Sequence, residues 1–249
     1  MKRLIKLFLL LIFCMFLNLN ANEKITISNG EWPPFFSQEL KNYGITSHIV
    51  SKAFKMENIK VQYKWYPWKR AFHLAKNGDI EATVGWEKTK KREKYFLFSE
   101  PILIGDVVFF HLKDLNFSWN EIDKLNNFKI GTVTGYDYKG SLEKLKKNKN
   151  VKIYDVINEK KLFELLLNKR FDLVIINKNV GYGILKKFFE KNSINNITHH
   201  KKPFSQEKLR LLFNKDIKKN YEYLQRFNKG LKKIKVSGEF DRLYKQAIN

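Results

Sequence analysis

Strand and helix signals alternate in this chain and then alternate again, and that double series limits the folds open to it. Ile25 to Ile27 reads as a strand. Ile45, Ile49, Val50, Ala53 and Phe54 recur at helical spacing between Ile45 and Met56. Val61 to Trp65 alternates as a strand does. Trp68, Ala71, Phe72 and Ala75 step along one helical face, which Gly78 closes. Ile80 to Val84 is the third strand. The second series runs strand Phe128 to Val133, helix Asp137 to Lys147, strand Val151 to Val156, helix Glu159 to Asn168, the very apolar strand Phe171 to Ile176, and helix Asn179 to Lys191. Between the series, Ile102 to Phe110 is apolar, β-branched and long enough to cross from one unit to the other. Leu209 to Phe213 reads as a return strand, and the tail from Ile217 to Ala247 as helix broken at Ser237-Gly238. The expectation is an α/β chain of two lobes. Each lobe is a mostly parallel sheet with flanking helices, and two crossing hinge strands join them.

The N-terminal residues stand apart from this pattern. Met1 to Lys6 is basic, Leu7 to Leu17 is unbroken apolar sequence, and a polar stretch ends at Ala21. That is the layout of a secretory signal peptide, too short for a membrane span. Cleavage is expected after Ala21. The only cysteine, Cys14, follows Phe13 where a lipoprotein box wants a small residue, which argues against lipidation. An exported chain from residue 22 then carries no disulfide.

The formal charge of +23 raises nucleic acid or an anionic membrane as partners. The leader holds three of those positives, so 23 − 3 leaves +20. The lysines are spread over the whole chain, and no arginine-rich arm, zinc spacing or aromatic RNA-binding motif accompanies them. A solvated basic surface is the reading they support. His199 and His200 are adjacent, and neighbours in an extended segment point to opposite faces, so they make no metal site. No cofactor is expected.

In open parallel sheets, ligands sit beyond the carboxyl ends of the strands. The stretch NGEWPPFF, Asn29 to Phe36, follows the first strand at that end. Two prolines end regular structure there, so its three large aromatics need another purpose. One of Phe35 and Phe36 is expected to plug the core, and Trp32 to form a ligand wall.

Several stretches in order resemble one family: WPPF, GITSHIVSKAF, YPWKRAFHLAKNGDIEATVG, TKKREKYFLFSEPI, KIGTVTGYDY, NKRFDLVII and FNKGLKKIKVSGEFDRLYKQ. Together they resemble the family-three extracytoplasmic solute-binding proteins, the polar amino-acid receptors of ABC importers. The resemblance covers nearly the whole chain beyond the leader. It implies a type II periplasmic binding fold, a two-lobed clamp that closes on a small polar solute and hands it to an inner-membrane permease. The boundaries it suggests are 22–105 for the first part of lobe 1, 106–208 for lobe 2, and 209–249 for the hinge return and the C-terminal helices of lobe 1. A periplasmic monomer is the expected form.

Arg92 aligns with the family arginine that grips a ligand carboxylate, a task suited to the guanidinium fork. The other reading is one more cation in the basic run from Lys88. Lys69 and Arg70 lie in the first turn of a helix, where cations are disfavoured by about 0.3–1 kcal/mol. A bound anion offsets that; otherwise Arg70 bends into solvent or pairs with a carboxylate. Trp68 is either a stacking surface or partly core. Gly85, Trp86 and Glu87 follow the third strand where the resembled receptors have serine-type residues at the first and third positions. Thr134, Gly135 and Tyr136 form a candidate anion nest at a helix start, and Asp137 reads as a helix cap. Asn177 stands where the resembled receptors carry an aspartate for the α-ammonium. Either another carboxylate, Glu87 or Glu31, replaces it, or the solute is not an ordinary α-amino acid. Trp32, Trp68, Trp86 and Tyr136 make an aromatic cleft, with Tyr182 also untypical of the family.

The leading function is solute capture without catalysis. The same fold serves cyclohexadienyl or arogenate dehydratases, which place an acid against a leaving hydroxyl. Glu87 and Asp137 are the acids on offer, and no acid–base pair with supporting spacing accompanies them. A sensory receptor would use the same clamp as a transport receptor.

Overall fold

The computed structural model describes residues 23–136, 138 and 140–248. The leader expected at residues 1–21 and the cap expected at Asp137 lie outside the described residues. The first series is β1 (Glu23–Asn29), α1 (Ile45–Lys55), β2 (Ile59–Trp65), α2 (Trp68–Asn77) and β3 (Ala82–Glu87). β1 pairs in parallel with both β2 and β3, with Ile25 opposite Val61 and Ile27 opposite Ala82. A short helix α3 (Lys90–Glu93) and strand β4 (Phe96–Phe98) lead into the long strand β5 (Leu103–Leu112).

The second series is β6 (Lys129–Val133), α4 (Ser141–Lys147), β7 (Lys152–Val156), α5 (Glu159–Leu167), β8 (Leu173–Asn177) and α6 (Lys178–Phe188). β6 pairs in parallel with β7 and β8. Helix α7 (Lys191–Asn195) and strand β9 (Ile197–His199) precede the return strand β10 (Ser205–Asn214). The chain finishes with α8 (Lys219–Val236) and α9 (Glu239–Ile248).

The main sheet runs β2-β1-β3-β10-β5-β8-β6-β7. β5 and β10 are antiparallel partners from Leu103–Leu209 to Val107–Ser205. Beyond that ladder, β5 pairs with β8 and β10 with β3. β5 therefore joins the second parallel set and β10 the first, and the ladder between these two crossing strands links the sets.

The packing follows from the residue patterns. All five residues of β8 are buried, as a continuous apolar run covered on both faces must be. Helix α8 packs on α1, where Phe54 and Phe227 rings lie 5.0 Å apart. A Cβ at Gly230 would lie 2.0 Å from the Ala53 carbonyl oxygen, so only glycine lets these helices approach so closely. Ion pairs tie the same surfaces: Glu23 to Arg226, Glu57 to Lys229 and Lys233, and Lys52 to Glu239. The tail thus returns to the first half.

Several boundaries differ from the sequence reading, these three among them. β3 continues through Gly85 to Glu87, because β10 goes on pairing with it. β10 begins at Ser205, where β5 supplies a partner. Helix α4 begins at Ser141, after left-handed residues at Tyr138 and Gly140.

Candidate functional site

The segments that follow β1, β6 and β7 meet through Trp32, Tyr136 and Glu159. The WPPFF loop closes on itself: Trp32 N–H donates to the Phe36 carbonyl at 2.7 Å, and the N–H groups of Phe35 and Phe36 donate to the Trp32 carbonyl. Both Phe35 and Phe36 are fully buried, so the core takes two of the loop's aromatics rather than one. Trp32 is half-buried and points at the other half. Its indole N–H donates to the Tyr136 hydroxyl at 3.0 Å, and that hydroxyl donates to Glu159 at 2.5 Å. Burial first, and then the charge of Glu159, push the Tyr136 phenol far above its ordinary value. It therefore stays protonated and remains a donor. Nearby, a Cβ at Gly183 of α6 would lie 3.6 Å from Pro34, so the halves also touch there.

From Trp32 the aromatic wall continues along the first half. Trp32 stacks near Phe36 at 6.5 Å, Phe36 meets Trp68 edge-on at 5.8 Å, and Trp68 meets Trp86 at 5.5 Å. The Trp68 indole N–H donates to the Glu31 carbonyl at 3.1 Å. Its ring lies against Gly30 and Gly85, where any Cβ would come within about 3 Å of it. The wall ends at Arg92, whose guanidinium lies 4.9 Å from the Trp86 ring and donates to the Glu87 carbonyl at 2.8 Å.

Asn177 is buried with both ends of its amide engaged. Its oxygen accepts from the N–H groups of Asn179 and Val180, capping α6, and its nitrogen donates to Glu207 at 3.0 Å. The carboxylate that accepts from Asn177 comes from β10. Glu31 holds Gln38 on the exposed side of its loop. Glu207 is a residue the sequence reading passed over. The signal was present: Leu209 and Leu211 point inward, and strand alternation puts Glu207 on their face. Glu159 was also passed over, as an ordinary acidic residue in a helix first turn.

Two expected residues stand apart. Arg70 is exposed, with its guanidinium 5.2 Å from the Tyr66 ring. Gly135 lies in an exposed turn at φ +89°. The nest around it is largely spent: Thr134 N–H donates to Val156 and Tyr136 N–H to Val133. Tyr182 pairs with His199 at 2.7 Å on the surface. The structure thus brings together Trp32, Trp68, Gly85, Trp86, Glu87 and Arg92 on one half and bonds Tyr136 of the other half to Trp32, while Asn177 is buried beside Glu207.

Two α/β halves on one sheet, hinged by two crossing strands, with a polar and aromatic cleft at the strand ends, define the class of two-lobed solute-binding clamps. The chain belongs to the bacterial extracellular solute-binding proteins, family 3, which it matches over residues 25–249. It is 28% identical to a probable histidine-binding protein of Neisseria gonorrhoeae, covering 87% of this chain and 80% of that one. It is 27% identical to an arginine-binding periplasmic protein of Mannheimia haemolytica, covering 89% and 90%. Among solved structures, an ancestral arginine-binding protein bound to arginine superposes with a TM-score of 0.70 at 23% identity, covering 91% and 98%.

Proposed function

We propose that the cleft captures an amino-acid solute bearing an additional positive charge. The protein then serves as a periplasmic receptor delivering that solute to an ABC permease. The observation that carries this is the bipolar lining. A guanidinium, Arg92, stands at one end of a continuous aromatic wall, and at the other end Glu159 and Glu207 both act on the Tyr136 phenol. An α-carboxylate suits the Arg92 fork, and a cationic side chain reaching the far end suits the carboxylates about Tyr136. Among the residues brought together here, Glu87, Glu159 and Glu207 outnumber Arg92, on a chain whose overall charge is +23. That local reversal favours a cationic side chain lying against Trp32 and Tyr136. The relatives named for arginine and histidine support the same choice.

In this reading Trp68 and Trp86 line the wall, and Gly85 presents backbone. The leader at residues 1–21 directs export, and the monomer works without catalysis. The lobes 22–105 with 209–249, and 106–208, close on the solute.

Thermal melting of the chain from residue 22 with a panel of amino acids tests this. A solute bound only by the folded form at 100 times its Kd stabilises by about 2.7 kcal/mol. For a domain of this size that raises Tm by about 5–11 °C. Arginine, lysine or histidine should give such a shift and glutamine a smaller one. No shift with any amino acid, or an Arg92→Ala variant that binds as the parent does, removes the proposal. Turnover of prephenate or arogenate would move the protein to the dehydratases.

A further inference from the structure

We infer that Trp86 is the positioning residue for Arg92: its indole face, re-aimed by a glycine bulge, holds the guanidinium where it meets the solute's carboxylate. This rests on the role given to Arg92 above. Along a regular strand, Thr83 and Trp86 would project from opposite faces. In the β10–β3 ladder, Arg210 faces Trp86 and Leu211 faces Val84, which leaves Gly85 without a partner at φ +90°. A bulge of this kind bends the strand and redirects the next side chain. Trp86 accordingly turns to the face of Thr83, and its indole N–H donates to the Thr83 hydroxyl at 2.9 Å. That hydroxyl donates in turn to the Ser28 carbonyl at 3.2 Å, so β1 and β3 together anchor the ring.

Two further contacts hold the indole in place. Trp68 meets it edge-on at 5.5 Å and Phe72 at 5.0 Å. What lies over its face is the Arg92 guanidinium, at 4.9 Å. Trp86 is half-buried, so its position is not explained by core filling alone. The rest of Arg92 is fixed independently. Its N–H lies in the cap made by Thr89, and Nη1 donates to the Glu87 carbonyl at 2.8 Å. A guanidinium has five donors in one plane. Fixing that plane on an indole fixes the direction in which the guanidinium donors point.

The test is calorimetric titration of the chain from residue 22 with L-arginine and with L-argininamide, which lacks the carboxylate. The parent should prefer the acid. In Trp86→Leu the ratio of acid to amide affinity should fall by roughly 2- to 30-fold, the worth of a cation–π contact, over and above any affinity both ligands lose with the wall's indole. Trp86→Phe keeps a ring face but loses the N–H that bonds Thr83, and should lose less of the preference than Trp86→Leu. Thr83→Val keeps the volume but removes the acceptor that anchors the indole, and should shift the preference in the same direction. A parent that prefers the acid, with Trp86→Leu or Thr83→Val showing the same preference, overturns the positioning role alone. A parent that binds acid and amide alike, or neither, overturns the reading of Arg92 and this inference with it.

Discussion

Replacing Asn177 with alanine tests how the crossing strand is coupled to the second half. The side chain does two jobs. Its oxygen caps α6 by accepting from Asn179 at 3.0 Å and Val180 at 3.3 Å, and its nitrogen donates to the Glu207 carboxylate at 3.0 Å. Losing a cap costs about 1 kcal/mol, and losing a hydrogen bond to a buried charged group costs about 1.5–3 kcal/mol. Asn177→Ala should therefore lose about 2.5–4 kcal/mol, which for a chain of this length lowers Tm by about 5–16 °C. Asn177→Asp separates the two jobs. An aspartate still caps α6 but sets a second carboxylate against Glu207, and two such groups in contact cannot both ionise easily. One of them takes a raised pKa in the folded form. Its contribution is present at low pH and is lost as pH rises through that raised value. The aspartate variant should thus approach the parent's stability near pH 5 and fall away from it by pH 8, while the alanine variant shows no such trend. Urea unfolding at the two pH values decides the matter. An alanine variant within about 1 kcal/mol of the parent, or an aspartate variant indifferent to pH, refutes the coupling.

Gly230→Ala forces a Cβ to 2.0 Å from the Ala53 carbonyl, between α1 and α8. It should cost at least the ~1–3 kcal/mol typical of overpacking, and denaturant titration showing no loss would contradict the close approach. Trp32→Phe keeps a ring in the wall but removes the N–H that reaches Tyr136 across the cleft. It should weaken solute binding by roughly 2- to 10-fold with little change in the melting of the solute-free protein; calorimetry giving an unchanged Kd would deny the bond a part in closure. Three carboxylates that tie α1 and β1 to the tail sit below the ordinary 4.5: Glu23 through Lys219 and Arg226, Glu239 through Lys52, and Glu57 through Lys233 and Lys229 against the raising effect of burial. Their stabilisation is complete above pH 4.5 and is lost as pH falls through the lower folded values. Tm should drop between pH 4.5 and 3, less so in Glu239→Gln, and a flat profile would count against it.

Much of the architecture was legible because it is written in local periodicity. The helical spacing of Ile49, Val50, Ala53 and Phe54, and the unbroken apolar run ending at Ile176, each announce an element and a buried face. The position of the WPPFF loop at the end of β1 also announced the cleft, since connectivity alone puts it there. Legibility stopped where a partner far along the chain decides the outcome. Arg70 looks as much a ligand group as Arg92 until the fold lays it over Tyr66 on the surface. Asn177 looks like a ligand contact until α6 claims its oxygen and Glu207 its nitrogen.

The sequence by itself determined the strand and helix order, the two crossing segments and the placement of aromatics at strand ends, because side-chain periodicity and turn residues act within a few positions of one another. Only the tertiary structure decided that Glu207 bonds Asn177, that Gly85 forms a bulge which turns Trp86 toward Thr83 and Arg92, and that Trp32 bonds Tyr136 from 104 positions away. Those outcomes depend on strand register and on the approach of one half to the other, which no local pattern encodes.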